Sequence, residues 1–219
     1  MSTFAVLPVK HFVAGKTRLA DDLGKGTRRA LVEAMVTDVL IALRRAQKID
    51  HVLVVTGEAA MEAIAHGYDA DTVLDPEDAG HSQAALIGVR EAIERGARRV
   101  LLVPGDCPAL DPKEIDALLT RAPAPSPEVV VIPDRHGDGT NGLVLTPPDV
   151  IIPAFGPGSR ERHVAAAQEA GAVLRIEELP SLILDVDTID DLAALREALG
   201  GGHGNAAHTR GMLNRLARR

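Results

Sequence analysis

Short runs of apolar residues alternate along the chain with longer segments in which apolar residues recur every three or four positions. Short runs are typical of buried strands, and the three-to-four spacing is typical of helices that cover a sheet. The runs predict strands at residues 4–9, 51–56, 72–74, 97–104, 129–133, 142–146, 172–176 and 182–186. The periodic segments predict helices from a cap at Thr27, at residues 59–66 and 83–95, after Asp111, and at residues 159–170 and 189–199. The alternation predicts an α/β protein with a mostly parallel sheet between helices.

The composition points to one domain. Of the 219 residues, 46% are apolar but only 2% are aromatic, so Ala, Val, Leu and Ile must build the core. The length suits a single hydrophobic core, and we predict one domain over residues 1–199. Residues 200–219 are rich in glycine and then basic, and we expect them to form a mobile tail with at most a short C-terminal helix.

Charge and cysteine content narrow the classes of partner and compartment. The formal net charge of -7 argues against general nucleic-acid binding. No segment resembles a signal peptide or a membrane span, which needs about 20 apolar residues. Cys107 is the single cysteine, so an internal disulfide is excluded and a reducing compartment is the simple inference. We therefore expect a cytoplasmic protein without nucleic-acid or membrane partners, and the sequence leaves open whether it forms a homo-oligomer.

Acidic residues stand at the ends of two predicted strands. Asp106 follows the apolar run "VLLVPG", and Asp185 and Asp187 form an Asp-x-Asp at the end of "LIL". Open α/β sheets place their ligand sites at the carboxyl ends of strands. Three carboxylates brought together need cations, and hard oxygen ligands near phosphates suit Mg²⁺ better than zinc. Taken singly, Asp106 and Asp187 could equally cap turns or helices.

Glycine-containing loops should gather at the same edge of the sheet. They read "PVKHFVAGKTRLA", "PEDAGHSQAA", "DRHGDGTNG" and "FGPGSRERH". Such loops can present backbone N–H groups and cations to anions. The first loop supplies Lys10, Lys16 and Arg18, enough cations to contact a triphosphate. In the last loop, glycines precede Ser159 at a predicted helix start, with Arg160 and Arg162 close by.

The first loop also resembles a damaged P-loop. Gly15, Lys16 and Thr17 match the end of G-x-x-x-x-G-K-[ST], but Lys10 stands where the first glycine belongs. A P-loop-like kinase or NTPase is therefore one alternative function. A non-catalytic nucleotide-binding module is another, because a sequence does not prove turnover.

The motifs in combination resemble a known enzyme family. The segments "PVK…GKTRLA", "D…GHSQA", "LLVPGDCPAL", "DGTNGL", "FGPGSRERH" and "LDVDTIDDL" are similar to those of the guanylyltransferases that make the precursor of the deazaflavin coenzyme factor 420. These enzymes are related to molybdenum cofactor guanylyltransferase. The resemblance covers about residues 4–199. It implies a single-domain, Rossmann-like nucleotidyltransferase fold with a mostly parallel, mixed sheet, and a reaction that joins GTP to a small phosphorylated three-carbon acid with release of pyrophosphate.

The resemblance also assigns roles residue by residue. It makes Asp106, Asp185 and Asp187 the ligands of Mg²⁺, with two ions expected. It makes Thr140, Gly156 and Ser159 the residues that hold the acid's phosphate and carboxylate. The loop around Thr140 is so rich in glycine that its neighbour Asn141 could take that place instead.

The remaining roles concern the nucleotide. Lys10, Lys16 and Arg18 are expected to hold the β- and γ-phosphates and, with Asp106, to be the catalytic residues. Ser82 and Gln83 begin a predicted helix and are the candidates for contacting the base or the ribose. Guanine itself comes from the resemblance alone.

The spacing of the motifs does not determine which phosphorylated acid is the substrate. Members of the family use phosphoenolpyruvate, 2-phospho-L-lactate or a phosphoglycerate. The Ala-, Arg- and Gly-rich composition is typical of a GC-rich genome such as an actinobacterium's, for which the resemblance favours phosphoenolpyruvate.

Overall fold

A computed structural model of the chain describes residues 1–9, 16–77, 80–121, 126–200 and 206–218. The strands are β1 (Thr3–Val9), β2 (His51–Thr56), β3 (Asp71–Leu74), β4 (Arg99–Leu102), β5 (Glu128–Pro133), β6 (Thr140–Thr146) and β7 (Val173–Ile176). The helices are α1 (Lys25–Arg45), α2 (Ala59–Gly67), α3 (His81–Glu94), α4 (Pro112–Thr120), α5 (Ser159–Glu169), α6 (Ile189–Gly200) and α7 (Ala207–Leu216), with a 3₁₀ helix at Thr17–Leu19.

In the described part of the chain, the strands form one seven-stranded sheet in the order β3-β2-β1-β4-β6-β5-β7. Strands β1, β2, β3 and β4 are parallel, and β5 and β7 run the same way. Strand β6 is antiparallel to both of its neighbours. The mostly parallel, mixed sheet predicted from the sequence is confirmed. Because β6 is reversed, its first residues lie at the edge where the other strands end.

The two faces of the sheet bury separate clusters of apolar side chains. Along β1, Leu7 and Val9 face the cluster that includes α1, α2, α4, α6 and α7, whereas Phe4 and Val6 face the cluster that includes α3 and α5. Alternate residues of a strand point to opposite faces, so the continuous run "FAVLPV" is what a doubly covered central strand requires.

Helix α3 approaches the sheet closely because Gly88 faces it. A Cβ atom at Gly88 would lie 2.3 Å from Cγ1 of Val6 and 2.8 Å from Cγ2 of Val55. A side chain at this position would push the helix away from the strands. The absence of a side chain at Gly88 thus sets the short distance between α3 and the sheet.

One predicted helix cap and one predicted strand are wrong. Helix α1 begins at Lys25 with Gly24 as its N-cap, so Thr27 lies inside the first turn and does not cap it. Residues 182–186 are not a strand, although Leu182 and Val186 are fully buried. The N–H of Val186 donates to the carbonyl of Asp106, and the carbonyls of Leu182 and Ile183 accept bonds from Asn141 and Arg135. The segment is apolar because it is buried, although it is neither a strand nor a helix.

The C-terminal segment is docked rather than mobile where the structure describes it. Helix α7 packs against α1 and buries Thr209 and Leu213. The carboxylate of Asp38 on α1 accepts the N–H groups of His208 at 3.1 Å and Thr209 at 2.7 Å. These N–H groups lack partners within the helix, and the carboxylate also favours the positive helix start. The expectation of a mobile tail is therefore corrected for residues 206–218, while residues 201–205 lie outside the described residues.

No helix in the described ranges is long and apolar enough to cross a membrane.

Candidate active site

The candidate site lies at the edge of the sheet where β1, β4 and β5 end and β6 begins. Leu102 of β4 pairs with Leu143 of β6, so Asp106 follows β4 close to the start of β6. Ser159 begins α5, and Lys16 lies after the end of β1. The structure therefore brings most of the predicted site residues to one edge. Lys10 lies outside the described residues, and its role stays a prediction.

Asp106, Asp185, Asp187 and Lys16 form a group that we call the carboxylate cluster. The ammonium of Lys16 donates to Oδ2 of Asp106 at 2.5 Å and to Oδ1 of Asp187 at 2.6 Å. Burial by itself lowers the pKa of Lys16, but the two carboxylates outweigh it and raise that pKa above its usual range. Lys16 is therefore a fixed positive charge between two of the predicted metal ligands.

Asp185 belongs to the same cluster but makes different contacts. Its Oδ1 accepts from the side-chain amide of Asn141 at 3.2 Å. Burial, followed by the negative charge of Asp106, raises the pKa of Asp185 above its usual value. The same amide of Asn141 donates to the carbonyl of Leu182 at 2.8 Å and so anchors the segment that carries Asp185.

Asp191 holds Asp187 in place and was not predicted from the sequence. Its Oδ2 accepts from the N–H of Asp187 at 2.9 Å, from the N–H of Thr188 at 2.7 Å and from the Thr188 hydroxyl at 2.9 Å. Its Oδ1 pairs with Arg135. Burial opposes ionisation, but these donors and Arg135 lower the pKa of Asp191 overall. The sequence does contain a pattern that indicates this role of Asp191, the capping box Thr188-x-x-Asp191 at the start of α6.

The donor chemistry of the carboxylate cluster suits a hard divalent cation. Oδ1 of Asp106 is buried and has no hydrogen-bond partner among the described residues. A buried carboxylate oxygen without a partner is costly unless a cation or donor reaches it. In the described ranges, however, no three acidic, histidine or cysteine side chains are arranged to hold a metal ion as they stand. Among the described residues, the cation that Asp106 and Asp187 contact is the ammonium of Lys16.

A β-bulge at the start of β6 interrupts the regular alternation of side chains between the two faces of the sheet. Pro133 pairs with Thr140 and Ile132 pairs with Gly142, which leaves Asn141 as an extra residue. Asn141 contacts Leu182 on one face, whereas Thr140 contacts α5 on the other. The structure therefore places Thr140, and not Asn141, beside Ser159.

Thr140, Ser159 and His163 form a second group, which we call the hydroxyl cluster. The Ser159 hydroxyl donates to Oγ1 of Thr140 at 3.1 Å, and Nδ1 of His163 lies 3.1 Å from the same oxygen. All three side chains are buried, and none carries a charge at neutral pH, since burial and the charge of Arg162 lower the pKa of His163 to about 4. The positive φ values of Gly156 (104°) and Gly158 (67°) shape the loop that leads into α5.

The arginines of this loop donate hydrogen bonds to backbone carbonyls. Arg162 donates to the carbonyls of Ala154 at 3.0 Å and Pro157 at 2.6 Å, and Arg160 donates to the carbonyl of Gly137 at 2.9 Å. Their role in the structure is to hold the loop backbone.

The residues predicted to contact the nucleotide differ in their surroundings. Oγ of Ser82 accepts from the N–H of Phe155 at 2.9 Å, so this hydroxyl ties α3 to the loop before α5. Gln83 and Arg18 are exposed at the same edge. Their contacts with a nucleotide stay predictions.

Comparison with known proteins identifies the family. The family model described as "Guanylyl transferase CofC like" matches residues 3–218. The chain belongs to this family. The match includes α7, which lies beyond residue 199 where the sequence resemblance ended.

Curated relatives cover nearly the full chain. A protein of Conexibacter woesei named phosphoenolpyruvate guanylyltransferase is 55% identical over 218 residues, which are 100% of this chain and 98% of the relative. A protein of Colwellia psychrerythraea named 3-phospho-D-glycerate guanylyltransferase is 34% identical and covers 89% of this chain and 91% of the relative.

Solved structures show the same fold. A protein from Desulfovibrio desulfuricans described as a candidate nucleotide-diphospho-sugar transferase superposes with a TM-score of 0.77 at 17% identity and covers 100% of this chain and 96% of its own. A nucleotidyl transferase from Methanothermobacter superposes with a TM-score of 0.66 at 21% identity and covers 92% of this chain and 99% of its own. The Rossmann-like nucleotidyltransferase fold predicted from the sequence is confirmed, and the P-loop and non-catalytic alternatives are not favoured.

Proposed function

We propose that the protein transfers GMP from GTP to the phosphate of phosphoenolpyruvate and releases pyrophosphate. The observation that carries this proposal is the pairing of a carboxylate cluster with a hydroxyl cluster at one edge of the sheet, in a chain 55% identical to a protein named phosphoenolpyruvate guanylyltransferase. The place of the product in coenzyme factor 420 synthesis is part of the same proposal and rests on the resemblance.

The reaction needs charge neutralisation more than proton transfer. An oxygen of the acid's phosphate, already anionic at neutral pH, attacks the α-phosphorus of GTP. The bond from the α-phosphorus to the oxygen bridging to the β-phosphate breaks, and pyrophosphate leaves with that electron pair. No general base is required for this step.

The carboxylate cluster would serve the nucleotide side of this reaction. Asp106, Asp185 and Asp187 would hold Mg²⁺, which when bound would screen the repulsion between the two anionic substrates. Lys16 would exchange its carboxylate partners for the leaving phosphates, as its ammonium can donate to either. Arg18 is exposed beside it and would bind the same phosphates.

The hydroxyl cluster would serve the acid side. Thr140 and Ser159 supply hydroxyl groups, and Gly156 leaves its backbone open because it carries no side chain. These neutral donors can bind a phosphate or carboxylate without the cost of a further buried charge.

The experiment is a competition assay with GTP and equal concentrations of phosphoenolpyruvate, 2-phospho-L-lactate and 3-phospho-D-glycerate. We expect pyrophosphate release and a guanosine diphospho-acid whose mass matches the phosphoenolpyruvate adduct. Preference for another acid would overturn the choice of acceptor, and release of GDP with phosphate or a phosphorylated product would overturn guanylyl transfer.

A further inference from the structure

His163 is buried inside the hydroxyl cluster, and neither the family match nor the proposed reaction gives it a role. It stands four residues after Ser159 on α5, so both side chains lie on the helix face that meets the sheet. Ala167, four residues further on, packs into the core on the same face. His163 therefore lies behind the hydroxyls of Thr140 and Ser159 rather than in the open part of the site.

The contacts of His163 determine which ring nitrogen carries the proton. Nε2 accepts from the N–H of Ala154 at 2.9 Å, and a backbone N–H can only donate. In the neutral ring the proton must then be on Nδ1, which lies 3.1 Å from Oγ1 of Thr140. His163 thus donates to the Thr140 oxygen, and its orientation is fixed from both ends.

The Thr140 oxygen receives two donors. One is Nδ1–H of His163 and the other is the Ser159 hydroxyl. A hydroxyl oxygen accepts at most two bonds, so the remaining capacity of Thr140 is its own O–H. No acceptor for that proton is found among the described residues. The Thr140 hydroxyl is left as a donor at the edge of the sheet.

Aromatic contacts hold the ring in this orientation. Phe155 packs edge-on against His163 with ring centroids 5.3 Å apart, and against His81 of α3 with centroids 4.7 Å apart. The N–H of Phe155 donates to Ser82, also on α3. The ring is therefore held by the loop before α5 as well as by its own hydrogen bonds.

We propose that His163 is a positioning residue that keeps the Thr140 hydroxyl as a hydrogen-bond donor toward the acceptor acid. The inference rests on the proposed function, because it takes the acid to bind at Thr140. Ionised phosphate and carboxylate oxygens only accept hydrogen bonds. If the Thr140 hydroxyl rotated so that it donated to another group of the protein, it would present a lone pair to the acid's oxygen, and the two would repel each other. The hydrogen bond from His163 prevents that rotation.

Two substitutions separate the roles of the two ring nitrogens. His163→Asn places an amide near the position of Nδ1 and retains a donor for Thr140. His163→Gln places its amide near the position of Nε2, so its oxygen can accept from Ala154 but Thr140 loses its donor. We expect His163→Gln to raise KM for phosphoenolpyruvate about tenfold, the size of one hydrogen bond to a charged group. The KM for GTP should stay within about twofold, and His163→Asn should restore most of the loss.

A double-mutant cycle shows whether His163 acts through Thr140. Thr140→Val keeps the shape and removes the hydroxyl, so His163→Gln should add no further increase in KM for the acid in that background. His51→Gln is the control, since His51 lies at the amino end of β2 and stacks on Phe4. Three results would overturn the positioning role. They are an equal rise in KM for the acid in both His163 variants, additive rises in the double-mutant cycle, and a parallel rise in KM for GTP.

A spectroscopic measurement tests His163 separately from turnover. In ¹⁵N-histidine-labelled full-length protein, the His163 signals are those lost in His163→Gln, and we expect a neutral ring protonated on Nδ1. A ring protonated on Nε2 would overturn the inference whatever the kinetics. If wild-type protein turns over GTP with none of the three acids, the proposed function fails, and the acid-binding part of this inference fails with it.

Discussion

The two clusters at the edge of the sheet differ in charge and in how their side chains are connected. The carboxylate cluster is charged and depends on a cation, and in the structure that cation is Lys16, within 2.6 Å of two carboxylates. The hydroxyl cluster is neutral, buried and linked by its own hydrogen bonds. Under the proposed function, the first cluster would rearrange when metal and nucleotide bind, whereas the second would need little change because its hydrogen bonds are already made.

Removing one carboxylate should have the largest effect. We expect Asp106→Asn to lower turnover at least about a thousandfold, because the carboxylate supplies charge that an amide of the same shape does not. The melting temperature should stay close to that of wild type. Steady-state pyrophosphate release and thermal unfolding measure the two quantities.

Asp190→Asn is the matched control for this substitution. Asp190 is exposed in the first turn of α6, beside the segment that carries Asp187. It should retain near wild-type turnover. If Asp106→Asn also retained it, the assignment of the carboxylate cluster to catalysis would be wrong.

Removing the ammonium group of Lys16 should have the next largest effect on turnover. Lys16→Met keeps the length and the apolar stem but leaves Asp106 and Asp187 without their ammonium partner. We expect turnover to fall about a hundredfold, the cost of one donor to transferred phosphates. Mg²⁺ should raise the melting temperature of this variant more than that of wild type, because in wild type the ion must first displace Lys16.

Lys25→Met, at the exposed start of α1, controls for the loss of a surface charge. An equal response of Lys16→Met and wild type to Mg²⁺ would show that the ion and Lys16 do not compete for the same carboxylates. The carboxylate cluster would then not be the metal site.

Local patterns in the sequence predicted which residues gather at the edge, but not how they are connected. Asp106 and Ser159 could be placed because strand ends and helix starts follow from apolar runs and glycine-rich loops. The ion pair of Lys16 with Asp187 joins residues 171 positions apart, and no local pattern specifies such a contact.

The extra residue at Asn141 illustrates the same limit. An alternating pattern predicts which face a strand residue occupies only while pairing is regular, and the bulge at Asn141 breaks it. The docking of α7 depends likewise on Asp38, 171 positions before Thr209. The sequence thus predicted the elements and the edge, and the structure added the contacts that decide orientation.

The hydroxyl cluster should show its neutral character in the pH dependence of stability. The folded-state pKa of His163 is lowered to about 4 by burial and by Arg162, whereas an unfolded histidine titrates near 6.5. Between these values the unfolded chain binds the proton and the folded protein does not, so acid favours unfolding. From pH 7.5 to pH 5 the contribution of His163 to the free energy of unfolding should fall by about 2 kcal/mol. Urea unfolding of wild type and of His163→Gln at pH 7.5 and pH 5 measures this, because the variant lacks the titrating ring. The stability difference between the two proteins should shrink by that amount at the lower pH.

A difference that stays constant would mean that the folded protein accepts a proton on His163, and the hydroxyl cluster would then not be the neutral counterpart of the carboxylate cluster.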